Sequence, residues 1–359
     1  MGGTIGDVPP TPLILDVDTG IDDAMALLYA CASPDAELVA ATAVAGNTDA
    51  RQAARNTQAV LELAGRGDVE VALGRERPLV RRLETTPETH GARGLGHADL
   101  PPPGSPLSDR HASDLIAAEA RARPGEITLV TLGPLTNLAV AVLREPELPR
   151  LLKAWVLMGG SYRSAGNTAP TTEWNVHCDP DAAKVCFEAW TAAGVPRPLA
   201  LGLDVTERAK FTPDHMTALA RQAGSRPDET LAADGHERSV ASNAVVRFIA
   251  DALRWYMEFH SRYDGFYGAF LHDPLAVAAA LDRALVRTEA VTVDVELGGT
   301  LTTGETVADW RRNWKRPPNV DVAVAADAER FLDRLVERVA ALARTRDAVA
   351  TATGTAAGP

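Results

Sequence analysis

The stretch Leu13-Ile-Leu-Asp-Val-Asp-Thr-Gly-Ile-Asp-Asp-Ala-Met-Ala26 decides the fold, because it predicts a strand, a turn and a helix in direct succession. The apolar run from Leu13 to Val17 is typical of a buried strand, Thr19-Gly20 of a turn, and the residues from Ala24 onward of a helix. Strand–turn–helix units of this kind build open α/β sheets, and such sheets bind ligands at the carboxyl ends of their strands. We therefore expect a ligand site directly after this strand.

Four carboxylates, Asp16, Asp18, Asp22 and Asp23, lie within this stretch. Side chains alternate along a strand, so Asp16 and Asp18 point to the same face. The N-terminus of the helix offsets part of the repulsion between these acids, but only a cation offsets most of it. Ligands that are all oxygen favour a hard ion such as Ca²⁺ or Mg²⁺. One capping Asp with solvated neighbours is the simpler alternative, and it explains four clustered acids poorly.

The succession of strand-like and helix-like segments predicts a single-domain Rossmann-like α/β protein with a mostly parallel sheet flanked by helices. The 359 residues are 46% hydrophobic and 23% charged, which is ordinary for a globular protein with a large core. No Pro/Gly/Ser-rich linker divides the chain. We expect the domain at residues 13–345, with an N-terminal extension at 1–12 and a disordered tail at 346–359, where the residues are small and polar.

Charge and cysteine content exclude several classes of partner. The net charge of −12 argues against a nucleic-acid backbone as partner. No run of about 18 apolar residues occurs, so we expect no membrane span, and the first residues lack a secretory signal pattern. The three cysteines form no metal-type pair, and reduced thiols in a cytoplasmic protein fit them best.

Several separated motifs resemble those of one family, the nucleoside hydrolases, which are calcium-dependent enzymes that cut the N-glycosidic bond of ribonucleosides. The segment Asp16-Val-Asp-Thr-Gly-Ile-Asp-Asp23 is similar to the family's DxDxGxDD signature. In the family's order there follow Gly133-Pro-Leu-Thr-Asn137, a Gly166-Asn167 pair with Glu173-Trp-Asn175, and His272-Asp-Pro274. The resemblance runs from about Leu13 to about Leu342, nearly the whole chain.

A fifth segment, Thr89-His90-Gly-Ala-Arg93-Gly-Leu-Gly96, resembles the family's HGxDGLG loop beside the active site. Arg93 stands where the family has an acid. The departure puts the local structure of the loop in question rather than the chemistry. His90 is either a solvated loop histidine or a group near the base.

The resemblance implies a calcium site and a set of catalytic residues. Asp18, Asp23, the backbone carbonyl of Leu132 and Asp273 would hold Ca²⁺, Asp18 would act as general base on water, and His272 would be the acid for the leaving base. Residues implied to bind the substrate are Asp22, Asn47, His90, Asn167, Glu173, Trp174 and Asn175. The family is usually dimeric or tetrameric, so the resemblance also implies a homodimer or homotetramer.

Two alternatives stay open at the level of sequence. Asp16-Val-Asp-Thr19 also fits the start of haloacid-dehalogenase-like phosphatases, although we place no matching later Lys or acidic pair. A non-catalytic ribose-binding module would be expected to lack a metal ligand or base, and none is missing. Preference for purine or pyrimidine is not predicted; Trp255, Tyr256, Tyr263, Phe266 and Tyr267 could stack on a base or fill the core.

Overall fold

Twelve strands occur in the computed structural model, which describes residues 9–230 and 238–353. They are β1 (Thr11–Val17), β2 (Ala36–Ala43), β3 (Glu70–Leu73), β4 (Thr128–Thr131), β5 (Ala154–Met158), β6 (Leu199–Leu201), β7 (Lys210–Phe211), β8 (Ala269–Phe270), β9 (Val286–Val291), β10 (Val293–Val295), β11 (Thr306–Ala308) and β12 (Val320–Ala326). Eight of them form one sheet in the order β3-β2-β1-β4-β5-β6-β12-β9. Every pairing in this sheet is parallel except that of β9 with β12, so the predicted fold class is confirmed.

Helices follow most strands and cover both faces of the sheet. They are α1 (Ile21–Ala32), α2 (Ala50–Leu63), α3 (Pro87–His90), α4 (Ala112–Ala122), α5 (Thr136–Arg144), α6 (Leu148–Leu151), α7 (Trp174–Cys178), α8 (Pro180–Ala193), α9 (Leu203–Thr206), α10 (Pro213–Gln222), α11 (Ala244–Tyr263), α12 (His272–Leu281) and α13 (Ala328–Thr353). Two antiparallel pairs, β10 with β11 and β7 with β8, lie outside the main sheet.

Strand β1 is the centre of this arrangement because its side chains supply both cores. Leu13, Leu15 and Val17 belong to the core on one face, together with α1, α11, α12 and α13. Ile14 belongs to the core on the other face, with α4, α5 and α8. Helix α1 is buried from Ile21 to Ala30 and packs against α12 and α13. Apart from Asp22 and Asp23, the buried residues of α1 are apolar, as expected of a helix at this depth.

The direction of strand succession reverses between β1 and β4. From β1 the order runs to β2 and β3 on one side and to β4, β5 and β6 on the other. The carboxyl ends of β1 and β4 therefore border a crevice, which is where open α/β sheets bind ligands. Asp18 follows β1 at this crevice, and Leu132 follows β4.

Two segments differ from what their sequence suggests. Strand β6 ends at Leu201, and Leu203–Thr206 forms a helical turn after Gly202, although the apolar run from Leu199 to Val205 is typical of a single strand. Helix α13 continues to Thr353, so residues 346–353 of the tail expected at 346–359 are helical. The described part of the chain leaves out residues 1–8, 231–237 and 354–359, which include most of the expected N-terminal extension.

No disulfide joins the cysteines of the described segments. Cys31, Cys178 and Cys186 are all free. Among the helices of residues 9–230 and 238–353, none combines the length and apolar character that crossing a membrane requires.

Candidate active site

A cavity of about 570 Å³ opens at the carboxyl edge of the sheet. Its volume lies in the range of small-molecule sites, roughly 300–1,000 Å³. Ten residues predicted from the sequence line it: Asp22, Asn47, His90, Leu132, Asn167, Glu173, Trp174, Asn175, His272 and Asp273. Asp18 and Asp23 are fully buried next to this lining. The structure thus brings together segments that are as far apart in sequence as β1 and α12.

Asp18 is fixed at one oxygen and unpartnered at the other. Its Oδ2 accepts a hydrogen bond from the backbone N–H of Asn47 at 2.6 Å. Its Oδ1 is buried and has no hydrogen-bond partner among the described residues. Two glycines allow this position, since a Cβ at Gly46 would lie 2.1 Å from Oδ2 and one at Gly133 would lie 2.7 Å from Oδ1. A buried oxygen without a donor indicates that something outside the chain pairs with it.

Asp23 stabilises the turn between β1 and α1 by accepting backbone hydrogen bonds. Its Oδ1 accepts from the Asp18 N–H at 3.2 Å, and its Oδ2 accepts from the Gly20 N–H at 2.9 Å. The Asn47 side-chain amide also donates to Oδ2, at 3.2 Å. Asn47 therefore contacts both Asp18 and Asp23, and a turn residue alone would not need either contact.

Asp22, Asp23 and Asp273 form a cluster that could hold a metal ion. One ligand oxygen from each lies within 4.8 Å of the others, and all three residues are buried. Burial, and then the charge of the neighbouring acids, raises the pKa of Asp22 and of Asp273 well above the usual range. Burial and the charge of Asp23 raise the pKa of Asp18 in the same way. Buried acids that repel one another and offer only oxygen fit a hard divalent cation.

The ligand set predicted from the sequence is thus only partly reproduced by this cluster. Asp23 and Asp273 belong to it, and Asp22, expected to bind ribose, belongs to it as well. Asp18 is tied to it through Asp23, and the Leu132 carbonyl lies in the same cavity lining. In this structure the Leu132 carbonyl accepts a hydrogen bond from the Asn175 side-chain amide at 2.7 Å.

Asp16, the first acid of the motif, is hydrogen-bonded to side chains of the scaffold instead. Its Oδ1 accepts hydrogen bonds from the Thr42 hydroxyl at 2.6 Å and from the Asn137 amide at 2.8 Å. Burial raises the pKa of Asp16 to about 7, and these two donors lower it in part. Asn137 also donates to the Ala43 carbonyl and accepts from the Arg75 N–H, so it joins the ends of neighbouring strands.

The segment around Glu173 is helical, not extended as its alternating pattern suggests. Glu173 caps α7: its Oε1 accepts from the Asn175 N–H, and its Oε2 accepts from the Gly160 and Val176 N–H groups. Asn167 accepts from the Trp174 N–H at 2.9 Å and thereby fixes the loop before α7. Trp174 Nε1 is buried with no described partner, which leaves a donor at the cavity.

Two of the predicted histidines line the cavity and are held by single hydrogen bonds. His90 Nδ1 accepts from the Ile21 N–H at 3.1 Å, and His272 Nδ1 lies 2.8 Å from the Thr206 hydroxyl. Burial lowers the pKa of each ring to about 3, and a third histidine, His260, contributes to both shifts. Both rings are therefore neutral at pH 7.

Helix α11 supplies cavity residues that the sequence analysis missed. Tyr256, Phe259, His260 and Tyr263 form one stripe of the helix that lines the cavity. Their spacing of three and four residues is a helical pattern, and this spacing is the sequence signal that could have identified them as one face. Tyr256 and Tyr263 had been named only as possible stacking groups, and His260 had not been named.

Arg93 leaves the cavity chemistry unchanged. Its exposed guanidinium pairs with Asp99 at 2.9 Å, and its backbone carbonyl accepts from the Asn56 amide at 2.8 Å. The loop is thus anchored through its backbone, which accounts for a basic residue at this position.

Comparison with known proteins gives consistent matches over nearly the whole chain. The sequence model of the family described as inosine-uridine preferring nucleoside hydrolase matches residues 13–333. An inosine-uridine preferring nucleoside hydrolase of Leishmania major is 38% identical, over 90% of this chain and 95% of that protein. The pyrimidine-specific ribonucleoside hydrolase RihA of Enterobacter sp. is 37% identical, over 92% and 97%. The solved purine-preferring ribonucleoside hydrolase of Gardnerella vaginalis superposes with a TM-score of 0.83 at 30% identity, over 93% of this chain and all of that one.

We predict that Gly46→Ala abolishes most activity while the protein stays folded. The new Cβ would displace Asp18 Oδ2 from the Asn47 N–H, because the two atoms would be 2.1 Å apart. Steady-state rates on a ribonucleoside, with circular dichroism for folding, test this. Gly104→Ala is the matched control, since its Cβ meets nothing closer than 3.9 Å. Full activity of Gly46→Ala would contradict the placement of Asp18.

Proposed function

This chain belongs to the inosine-uridine preferring nucleoside hydrolase family and hydrolyses the N-glycosidic bond of ribonucleosides, and we propose that it does so with Ca²⁺ at the cluster of Asp22, Asp23 and Asp273. The family is metal-dependent in general. The observation that supports the cation is the buried group of carboxylates within 4.8 Å of one another. Family membership also decides against the phosphatase alternative.

The proposed donor set consists of oxygen atoms alone, which suits a hard divalent cation. Asp18, Asp23, the Leu132 carbonyl and Asp273 would hold it, with Asp22 beside them. When bound, a hard divalent cation neutralises these acids and makes water in the site easier to deprotonate. The unpartnered Asp18 Oδ1 supports this assignment, because the described residues give it no donor.

Asp18 is the proposed general base. Its Oδ2 is held by the Asn47 N–H, so Oδ1 is the oxygen free to accept a proton from water. Burial and Asp23 raise the pKa of this carboxyl, which brings its basicity closer to neutral pH. Carboxylates around the ribose would stabilise the positive charge that develops in an oxocarbenium-like state.

Ribose binding is assigned to the polar residues of the cavity, with Asp22, Asn47, Asn167, Glu173, Trp174 and Asn175 as the set. Glu173 and Asn167 also hold the backbone of α7, so they would position Asn175 as well as meet the sugar. His272 and His90 would face the base. No Lys or Arg occurs among the described lining residues, which favours uncharged nucleosides over phosphorylated ones.

Base preference does not follow from family membership, since the relatives include an inosine-uridine preferring, a pyrimidine-specific and a purine-preferring hydrolase. Rates on a panel of purine and pyrimidine ribonucleosides would assign it. We further propose that the protein is cytoplasmic, which is consistent with its three free cysteines. We also propose a homodimer or homotetramer, which light scattering of the purified protein would test.

The first prediction concerns the metal. Asp23→Ala should lose bound Ca²⁺ and activity together, because the remaining acids repel one another and one charged ligand is missing. Calcium content after dialysis, measured by mass spectrometry, is the readout that does not depend on activity. Asp114→Ala, which removes a partly exposed acid paired with Arg144, is the control and should keep both. A transition metal in protein purified with calcium would count against the assignment.

The second prediction concerns the sugar. 2′-Deoxynucleosides should be poor substrates, because a buried site built to bond a hydroxyl leaves its polar groups unpaired when the hydroxyl is absent. The kcat/KM values for uridine and 2′-deoxyuridine provide the comparison. Equal values would show that Asn167, Glu173 and Asn175 do not recognise the 2′-hydroxyl.

The third prediction concerns His272. If His272 is the acid for the leaving base, as the family resemblance implies, His272→Ala should slow cleavage of natural nucleosides by roughly 10²–10⁴, the usual size of general acid assistance, and spare p-nitrophenyl riboside, whose leaving group needs no proton. Calcium content should stay intact. Equal slowing of both substrates would instead assign His272 to positioning of the ribose, and no slowing would leave the acid to another group.

A further inference from the structure

One ionisable pair at the cavity has no role in the function proposed so far: His260 and Asp264, at the carboxyl end of α11. His260 lines the cavity, and its side chain is only 5% exposed. Its Nδ1 lies 2.7 Å from Asp264 Oδ2. Its Nε2 is buried and has no hydrogen-bond partner among the described residues. An unpaired buried ring nitrogen beside a ligand cavity calls for a partner from the ligand.

The contact with Asp264 fixes the proton arrangement of the ring. A carboxylate accepts only, so Nδ1 carries hydrogen and donates to it. In the neutral ring Nε2 is then a bare acceptor, and in the protonated ring it is a donor. The carboxylate favours the protonated form, because it stabilises the positive charge. The pair can therefore deliver a proton from Nε2 while Nδ1–H stays bound to Asp264.

Aromatic side chains hold the ring in one orientation. Its centroid lies 4.5 Å from that of Tyr256 and 5.5 Å from that of Phe266, which is nearly parallel to it. Phe270 meets the ring edge-on at 4.7 Å. Tyr256 and Phe270 line the same cavity. With the ring clamped in this way, the direction of Nε2 is set before a substrate arrives.

The other two histidines of the cavity lack an acidic partner. His90 accepts the Ile21 N–H at Nδ1, so protonating that nitrogen would break the bond. His272 Nδ1 meets only the hydroxyl of Thr206, which itself donates to the Gly202 carbonyl. Of the three rings, His260 alone has a carboxylate within hydrogen-bond distance in the described structure. It is the ring best arranged to hold a proton.

We propose that His260 protonates the departing base and that Asp264 is its positioning residue. The inference rests on the proposed function, since it requires the nucleoside base to occupy this cavity. His272 would then contact the base or the sugar as a neutral hydrogen-bonding group. Asp264, whose side chain is 43% exposed, would exchange no atom with the substrate and would act only through the ring.

The step balances in protons and electrons. As the C1′–N bond breaks, its electron pair moves onto the base, and the Nε2 proton of the imidazolium passes to an acceptor atom of that base. Water gives one proton to Asp18 and its oxygen to C1′. His260 is left neutral with Nδ1–H on Asp264 and takes up a proton from solvent, while Asp18 releases one. Ribose and free base are the only net products.

Titratable groups from four elements surround this pair, and a pH profile has to be interpreted with them. His90 of α3 and His272 of α12 lie close enough to influence it. Lys210 of β7 lies 4.7 Å from the Phe266 ring centre, and Glu207, after α9, interacts with Asp264. Burial lowers the pKa of His260, and Asp264 acts in the opposite direction.

Two variants test the dyad. His260→Phe keeps the ring packing and should reduce kcat on inosine or uridine by roughly 10²–10⁴ while sparing p-nitrophenyl riboside. Asp264→Asn keeps an acceptor for Nδ1–H but removes the charge. It should move the high-pH fall of kcat to lower pH, because the ring loses its proton more readily. Because the Asp264 side chain is partly exposed, misfolding of Asp264→Asn would be a poor explanation for any effect.

Glu258→Gln is the matched control. Glu258 lies on the same helix, α11, but outside the cavity lining, and it pairs with His97 at 2.8 Å. It should leave both substrates and the pH profile unchanged. If wild-type protein cleaves nucleosides and His260→Phe does so at the same rate, the dyad is refuted and the proposed function stands. Equal slowing on both substrates also refutes it, in favour of a packing role. Absence of wild-type cleavage would overturn the proposed function itself.

Discussion

The mutual repulsion of buried carboxylates is the constraint on which this structure depends. Asp18, Asp22, Asp23 and Asp273 meet at the edge of the sheet with no Lys or Arg among the described lining residues. Like charges at this depth are tolerated only if protons, donors or a cation compensate them. Backbone N–H groups of Asp18, Gly20 and Asn47 supply part of that compensation. The repulsion that these groups leave uncompensated favours the binding of a cation or a proton.

The surrounding scaffold is organised to hold these acids at fixed positions. Asp16 does not join them; it ties β1 to Thr42 of β2 and to Asn137 of α5. Glycines at 46 and 133 let the chain approach Asp18 more closely than any side chain would. The acids are therefore held by the strand ends and α1, whereas the part proposed to meet the base is on α11. Such a division would let base preference vary between relatives while the hydrolytic part stays the same.

Sequence patterns predicted the fold class and a cavity at the carboxyl ends of the strands, and physical reasons explain both. The apolar run of β1 and the acids after it are local signals, and the crevice follows from the topology of open parallel sheets. The role of Asp16 could not be predicted, because it depends on Thr42 and Asn137 from distant strands and helices. The alternation of Glu173 and Asn175 with Trp174 is compatible with an extended segment, but the Glu173 carboxylate caps α7. His260 was missed because a histidine within an aromatic helical stripe is indistinguishable from core until the helix is docked.

The order in which the site residues occur along the chain has a consequence for biosynthesis. The acids of β1 and α1 emerge first, and Asp273 on α12 emerges only after about three quarters of the polypeptide has been made. Until α12 packs against α1, the early acids have neither their closing ligand nor their apolar cover. A ribosome-bound intermediate would thus expose a strongly acidic, unpaired strand edge, and long-range contacts of this kind form late. The proposed metal site can therefore close only after α12 has been made and has packed against α1, so that catalytic competence requires about three quarters of the polypeptide to be present.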